Sequence, residues 1–355
     1  MQGRVATEAL AGGPALRVRA FLRIHGKKLW WLHSVYALGL GCSVVLFAQK
    51  GFEHARWLSV SLGAAWLLVV AIFRLGAARA AHDTQAPAKA RVRFFVMTYV
   101  LKNLYQGMLF FLLPFYWKST TFLSYNGVFI VLLAAFAVLS TVDLVFDRVL
   151  MRWAVVGALF HGLTLFACLN LVIPALFPDT RTLTMLLTAA GAAGIGFWTI
   201  HLRTSLLRDP RYVALLVVSL GLGLFGTYEV RRAVPPVPMY MSSGAVGPSL
   251  LPDGRLAMEV TSLHAAVLRE VIAVTDIVVP GGKGDLLVHV WRHDGVELHR
   301  AGEETSRVEG PSGAVRLRSA LFAENLPEDL AGPWTVDVET DDGQLVGRVP
   351  FRVER

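Results

Sequence analysis

The sequence predicts an all-α polytopic membrane bundle of about seven transmembrane helices, followed by an all-β immunoglobulin-like sandwich domain. Three observations predict it. Hydrophobic residues make up 54% of the chain and mean hydropathy is positive, too apolar for an ordinary soluble protein. Residues 29–228 read as long apolar runs with basic punctuation, whereas beyond 257 the apolar period shortens to two. Charge divides in the same region: residues 251–355 hold 11 Lys/Arg against 18 Asp/Glu, and residues 1–250 hold 23 against 8. The basic excess belongs to the apolar half, where it reads as a topology signal. With the soluble half acidic, a nucleic-acid partner is not expected.

Residues 1–28 carry Arg4, Arg17, Arg19, Arg23, Lys27 and Lys28 against Glu8, and read as a basic cytoplasmic N-terminus. The first apolar run, 29–48, has the ~20-residue length of a spanning helix, longer than the ~7–15 residues of a cleavable signal core. Gly41-Cys42 hints at a lipoprotein cleavage site, but Gly39 stands where that signal wants Leu, so an uncleaved anchor is expected. Six more spans follow at 57–75, 94–117, 121–141, 153–177, 182–202 and 212–228, making 29–232 the bundle. An odd number of spans with the N-terminus inside leaves 1–28, 74–93, 142–152 and 203–211 in the cytoplasm. Those segments hold 16 Lys/Arg; the outer ones hold Lys50, Arg56, Lys118, Arg181, Arg231 and Arg232. The positive-inside rule then puts the C-terminus outside. Trp30, Trp31, Trp57, Tyr116, Trp117 and Trp153 stand where interfacial belts belong. Glycine- and alanine-rich stretches at 39–41, 63–65, 191–196 and 221–226 predict close helix packing.

A polar side chain in hydrocarbon costs a few kcal/mol unless paired or hydrated. In the third span, Tyr99, Lys102, Asn103 and Gln106 fall at i, i+3, i+4 and i+7 and are expected to share one face. Structurally this reads as an interhelical clamp, with Lys102 meeting Asp143 or Asp147; functionally it reads as a polar pore or proton path. His161, Asn170 and His201 lie in other spans with no acid alongside. Pro114 and Pro174 are near outer ends, where they can end a helix without breaking it. Two cysteines, Cys42 and Cys168, both in apolar runs, are too few for a disulfide framework or a zinc site, and no cofactor is predicted.

Residues 233–256 hold Pro235, Pro236, Pro238, Gly244, Gly247, Pro248, Pro252 and Gly254, and read as an extended spacer holding the last domain off the bilayer. The β domain is expected over 257–355, with strands at 257–262, 271–279, 285–291, 297–301, 314–322, 334–339 and 345–352. Turn signals such as Asp294-Gly295 and Asp342-Gly343 separate them. About seven short strands in ~100 residues suggest an immunoglobulin-like sandwich.

Within that domain His289, Trp291 and His293 alternate on one strand face, with His264 and His299 as distant third ligands for any metal. A half-exposed polar strand face is the plainer reading. Ser319, His289 and Asp285 make a nominal hydrolytic triad, but no nucleophile-elbow sequence surrounds the serine. Arg292, Arg316 and Arg318 suggest either an anion-binding patch or paired surface charges, the acidic balance favouring the second. Trp291 and Trp334 suit either ligand stacking or the core of a sandwich.

His289-Val-Trp291-Arg-His293-Asp-Gly295, Arg318-Ser319, Gly332-Pro-Trp334-Thr-Val-Asp-Val338, Asp342-Gly343 and Phe351-Arg-Val353 resemble the bacterial domain-of-unknown-function family 2914, over roughly 270–355. Lys27-Lys28 ahead of Leu29-Trp30-Trp31 gives the apolar half a resemblance to the membrane family of unknown function numbered 5924. The resemblance implies a bacterial envelope protein of two parts and carries over no catalytic residue. The expectation is a non-enzymatic inner-membrane protein with a periplasmic β domain that binds an envelope protein, glycan or lipid. Its candidate contacts are His289, Trp291, His293 and Trp334. The alternative is a small-solute or ion transporter using Tyr99, Lys102, Asn103 and Gln106.

Overall fold

The computed structural model describes residues 39, 56–74, 88–122, 124–142, 146, 150, 152–177, 180–201, 207–265, 270–279, 286–301, 303–308, 313–322 and 329–355. Their N-terminal half is helical: α1 Arg56–Arg74, α2 Ala88–Lys118, α3 Gly127–Thr141, α4 Ala154–Leu176, α5 Thr182–His201 and α6 Pro210–Glu229. These are six helices where about seven were expected. The first expected span, 29–48, lies outside the described residues apart from Gly39. Among the described residues four helices are long and apolar enough to cross a membrane, at Val96–Lys118, Ala154–Leu176, Thr182–Ile200 and Pro210–Glu229. The apolar helices Val60–Ile72 and Gly127–Thr141 are shorter. The span expected at 121–141 starts late because its first residues form a polar turn. There the Asn126 side chain accepts hydrogen bonds from the Thr121 N–H (3.0 Å) and the Ser124 hydroxyl (2.7 Å).

Apolar burial adds little between helices in lipid, so packing and cross-helix hydrogen bonds hold them together. Neighbouring helices here share buried or half-buried bonds. Trp66 Nε1 of α1 donates to Thr199 Oγ1 of α5 at 3.0 Å, and Trp198 Nε1 of α5 donates to Ser219 Oγ of α6 at 2.9 Å. The Tyr116 hydroxyl of α2 donates to the Ala167 carbonyl of α4 at 3.0 Å. Small residues let α5 approach its neighbours: a Cβ on Gly194 would lie 2.6 Å from Leu220, and one on Gly196 3.1 Å from Leu165. On α6 the expectation fails, since Gly221, Gly223 and Gly226 have nothing within 4 Å of where a Cβ would stand. Pro210 in the first turn and Asp209, whose carboxylate accepts from the Arg211 N–H at 2.9 Å, start α6.

Among the described residues the β domain has nine strands: β1 Tyr240–Gly247, β2 Ser262–His264, β3 Glu270–Val278, β4 Leu287–His293, β5 Val296–Ala301, β6 Glu303–Val308, β7 Ala314–Phe322, β8 Gly332–Thr340 and β9 Leu345–Glu354. One sheet has the order β1-β3-β7-β6 and the other β2-β9-β8-β4-β5. Both sheets contribute to one core, with Val246, Val271, Ala273 and Leu321 from the first facing Trp291, Trp334, Val336, Val349 and Phe351 of the second. The β8–β9 hairpin forms where the sequence predicts it, with Trp334 opposite Phe351 and Gly343 at φ 83°. Asp294 and Gly295, at φ 50° and 81°, make the tight turn from β4 to β5.

The spacer at 233–256 is corrected. Val234 and Val237 join the core of the bundle, the proline run around them is buried, and 240–247 is β1, paired along β3. Proline lacks the N–H a strand ladder uses, which suits 235–238 to the non-ladder stretch before β1 rather than to solvent. The strand expected at 257–262 reduces to the bridges Leu250↔Leu256 and Val246↔Val260 ahead of β2, which runs parallel to β9. β6 was not foreseen. β1 crosses β9 closely because two glycines face each other's strand: a Cβ on Gly347 would fall 2.7 Å from Met241, and one on Gly244 2.6 Å from Val349. Gly347→Val should therefore lower stability by ~1–3 kcal/mol through overpacking. Urea unfolding of the detergent-solubilised full chain, followed by tryptophan fluorescence, measures this, and Met241→Ala should recover part of the loss.

Candidate functional site

In the third expected span the four polar residues do not act as one face. They cover an arc of about 100° at 3.6 residues per turn, and the edge of the helix interface cuts through it. Lys102 and Gln106 are buried, Lys102 to 3%, while Tyr99 is 45% exposed and Asn103 is exposed, its amide donating to the Tyr99 carbonyl at 2.7 Å. The Lys102 ammonium lies 5.4 Å from the Tyr99 ring centroid. Asp143 and Asp147, its expected partners, lie outside the described residues. Sequence reasoning missed Tyr105, which lies further into the interface: its hydroxyl and His161 Nδ1 are 2.7 Å apart, both side chains fully buried. A helical-wheel count from the apolar Leu101, Met108 and Leu112 would have shown Tyr105 near the centre of the packed face.

In the β domain the expected contact residues are corrected: His289, Trp291 and Trp334 are 0%, 0% and 1% exposed and point into the core. Period-two alternation identifies a shared face without saying which face turns inward, and the face carrying Trp291 contains more apolar area to bury. His289 lies between two hydroxyls, with Nε2 2.8 Å from Thr275 Oγ1 and Nδ1 2.7 Å from Ser319 Oγ. Trp291 Nε1 also donates to Ser319 Oγ at 2.9 Å. The Ser319–His289 pair of the nominal triad is thus real, but Thr275 takes the ring nitrogen that a carboxylate would need, and Asp285 lies outside the described residues. His293, half-buried, stacks on Trp334 at 4.6 Å, and its Nε2 is 3.2 Å from the Ala331 carbonyl. Among the described residues no three His, Cys, Asp or Glu side chains gather to hold a metal.

Arg292 and Arg316 hold carboxylates of the β domain. Arg316 holds Asp276 at 2.8 Å, keeping that carboxyl below the usual carboxylate range. Arg292 bonds Asp337 and, at 2.7 Å, Glu339, while Arg348 and Arg300 reach the same two acids at 2.6 and 3.0 Å. Arg318 borders a cavity of about 490 Å³ on the outer side of β3 and β7, together with Glu270, Ile272, Ala320, Phe322 and Leu250. It has an apolar floor and one charge of each sign, a mixture that ligand sites use.

The two halves meet at a seam no sequence pattern announces. From the bundle end, Asn126 Nδ2 donates to the Leu345 carbonyl at 3.2 Å, and Arg231 Nε donates to the Asp342 carbonyl at 2.7 Å. From the β8–β9 turn, Gln344 Nε2 donates to the Val234 carbonyl at 3.4 Å. Arg181 stands 3.5 Å from Asp341, and the Lys118 ammonium lies 5.7 Å from the Tyr240 ring centroid. Burial, then Asp341, raises the Asp342 carboxyl above its ordinary value, with Arg181 and Arg231 opposing. The available clue was Ser124-Tyr-Asn126-Gly127, turn chemistry inside a segment read as a span.

A helical bundle with four membrane-length helices, carrying a two-sheet β domain on one end, is the class of protein that this fold and seam define. The chain belongs to the Family of unknown function (DUF5924), whose model matches residues 16–271. A second model, Protein of unknown function (DUF2914), matches 285–353. The searches among curated proteins and among solved structures each found no match. The first match runs past the bundle through β1 and β2 to the start of β3, so the boundary between the families falls inside the β domain.

His289 provides a pH test. Burial lowers its pKa from the ordinary 6.5 to about 3. In either tautomer one ring nitrogen accepts from a hydroxyl, and protonation removes that acceptor. A depressed histidine contributes stability that is complete above the unfolded value and is lost as pH falls from about 6.5 towards about 3. Unfolding midpoints across that window should drop by the equivalent of a few kcal/mol, and His289→Gln should flatten the dependence.

Proposed function

We propose that this chain is a bacterial inner-membrane protein whose bundle holds an immunoglobulin-like β domain on the periplasmic side as a binding module, without catalytic activity of its own. The observation that carries the reading is the make-up of the seam. Among the described residues, the bundle side chains and carbonyl bonded or stacked against the β domain there, those of Lys118, Asn126, Arg181, Arg231 and Val234, lie in the connections after α2, α4 and α6, at the end of the bundle whose lysines and arginines the charge count assigns to the outside. Two independent arguments, charge bias and contact geometry, agree on one end of the bundle. The rigid mounting suits presentation of a fixed surface, and the hollow beside Arg318, Glu270 and Phe322 is the part of that surface with ligand-like chemistry. Partners in keeping with the location are an envelope protein, a glycan or a lipid headgroup.

Alkaline phosphatase fused after Arg355 should be active in cells. A photo-crosslinking residue at Phe322 in the intact membrane chain should trap one discrete envelope component, and the same residue at buried Val336 none. A silent phosphatase removes the topology; a Phe322 pattern identical to that of Val336 removes the binding surface.

A second reading, transport of a small solute or ion, draws on Lys102, which is buried at 3% one helical turn from the Tyr105–His161 pair. Under that reading Lys102→Met abolishes flux in proteoliposomes while the chain stays folded, and unchanged flux eliminates it.

A further inference from the structure

Among the described residues, a cavity of about 670 Å³ lies along α6, bounded by α3, α4 and α5 on its other sides. Its wall is almost wholly apolar, with Leu132, Leu163, Phe166 and Phe197 supplying carbon surface and Gly162 and Gly223 leaving room. The two α6 hydroxyls that line it are turned to protein: Ser219 accepts from Trp198 and donates to the Leu216 carbonyl, and Thr227 donates to the Gly223 carbonyl at 2.8 Å. Little polar surface is offered to a water-soluble ligand by the described residues, and the volume is that of a pocket for one small apolar molecule or chain. Depth matches too. From Ser219 up to Val230 is about 16 Å at 1.5 Å per residue, close to half of a hydrocarbon core about 30 Å thick.

Charge marks the mouth. The groove ends at Val230, Ala233 and Val234, and between them stand Arg231 and Arg232. Arg231 is held in place by the Asp342 and Tyr228 carbonyls and lies 4.0 Å over the Tyr228 ring, while Arg232 is exposed. Arg231 and Arg232 supply the positive charge at this level, with Glu229 at the end of α6 and Asp342 of the β8–β9 turn beside them. We propose that this groove is a binding site for one anionic phospholipid of the leaflet beneath the β domain. One acyl chain lies between α6 and α3–α5, and the phosphate sits against Arg231 and Arg232. The bound lipid fills the side of α6 that its glycines leave open, and so couples α6 to the rest of the bundle.

The test uses the full-length chain, delipidated in detergent and titrated with phosphatidylglycerol or phosphatidylcholine, with native mass spectrometry as readout. The wild type should hold one phosphatidylglycerol through detergent exchange, at least tenfold more tightly than phosphatidylcholine. Gly223→Leu, which puts a side chain into empty space, should reduce retention of both lipids about tenfold. Arg232→Glu should erase the preference for the anionic lipid and leave phosphatidylcholine binding unchanged. Val218→Leu, on the far side of α6, should change neither. Failure of the wild type to hold lipid, or full retention by Gly223→Leu, overturns the proposal. So does a lipid-free Gly223→Cys chain whose thiol is shielded from a membrane-soluble maleimide, because protein, either residues 29–48 or a second copy, then fills the groove.

Discussion

Lipid offers a backbone no hydrogen-bond partner, and both halves of this chain are arranged around that lack. Within the bundle the ladders of the helices satisfy themselves. At the end that carries the β domain they run out, and the Asn126 amide takes over. It accepts from Thr121 and Ser124 on its own side and donates across to the carbonyl of Leu345, the first residue of β9. Arg231 and Gln344 repeat the exchange at Asp342 and Val234. Each half closes backbone groups that the other exposes, and the turn between β8 and β9 becomes a fixed point.

The buried proline segment follows from the same constraint. A flexible tether would leave the last turn of α6 and the first residues of β1 to find partners in water or headgroups. Prolines 235, 236 and 238 reduce the number of N–H groups to be satisfied, while Val234 and Val237 add apolar area to the bundle. Inside the β domain the polar residues are treated alike. His289, Thr275, Ser319 and Trp291 form one hydrogen-bonded cluster joining β3 and β7 of one sheet to β4 of the other. A buried polar group is tolerable when its partners are supplied, and costly when they are removed.

The two family matches do not divide the chain where the fold does. The first covers the bundle together with the strands that lead into the β domain, and the second covers the strands from β4 onward. Since β1 pairs with β3 and crosses β9, the domain is complete only when residues from both regions are present. The seam and the fold are therefore parts of one structural commitment, made between residues more than 200 positions apart in the case of Asn126 and Leu345.

Local chemistry alone determined a good deal: the apolar helices, the change to period two, the β8–β9 hairpin with its Asp342-Gly343 turn, and the uneven lysine and arginine content. Each of these depends on residues within a few turns of one another, so a linear reading reaches them. Which way a face points was decided elsewhere. Tyr99 and Lys102 differ by one helical turn, yet one faces outward and the other is buried, because the position of the neighbouring helices sets the boundary. His289 and Trp291 face inward because a second sheet covers them, and residues 240–247 are a strand because β3 offers an edge. Tertiary contact made those choices, since burial and hydrogen-bond satisfaction are properties of surfaces brought together and not of the segments that carry them.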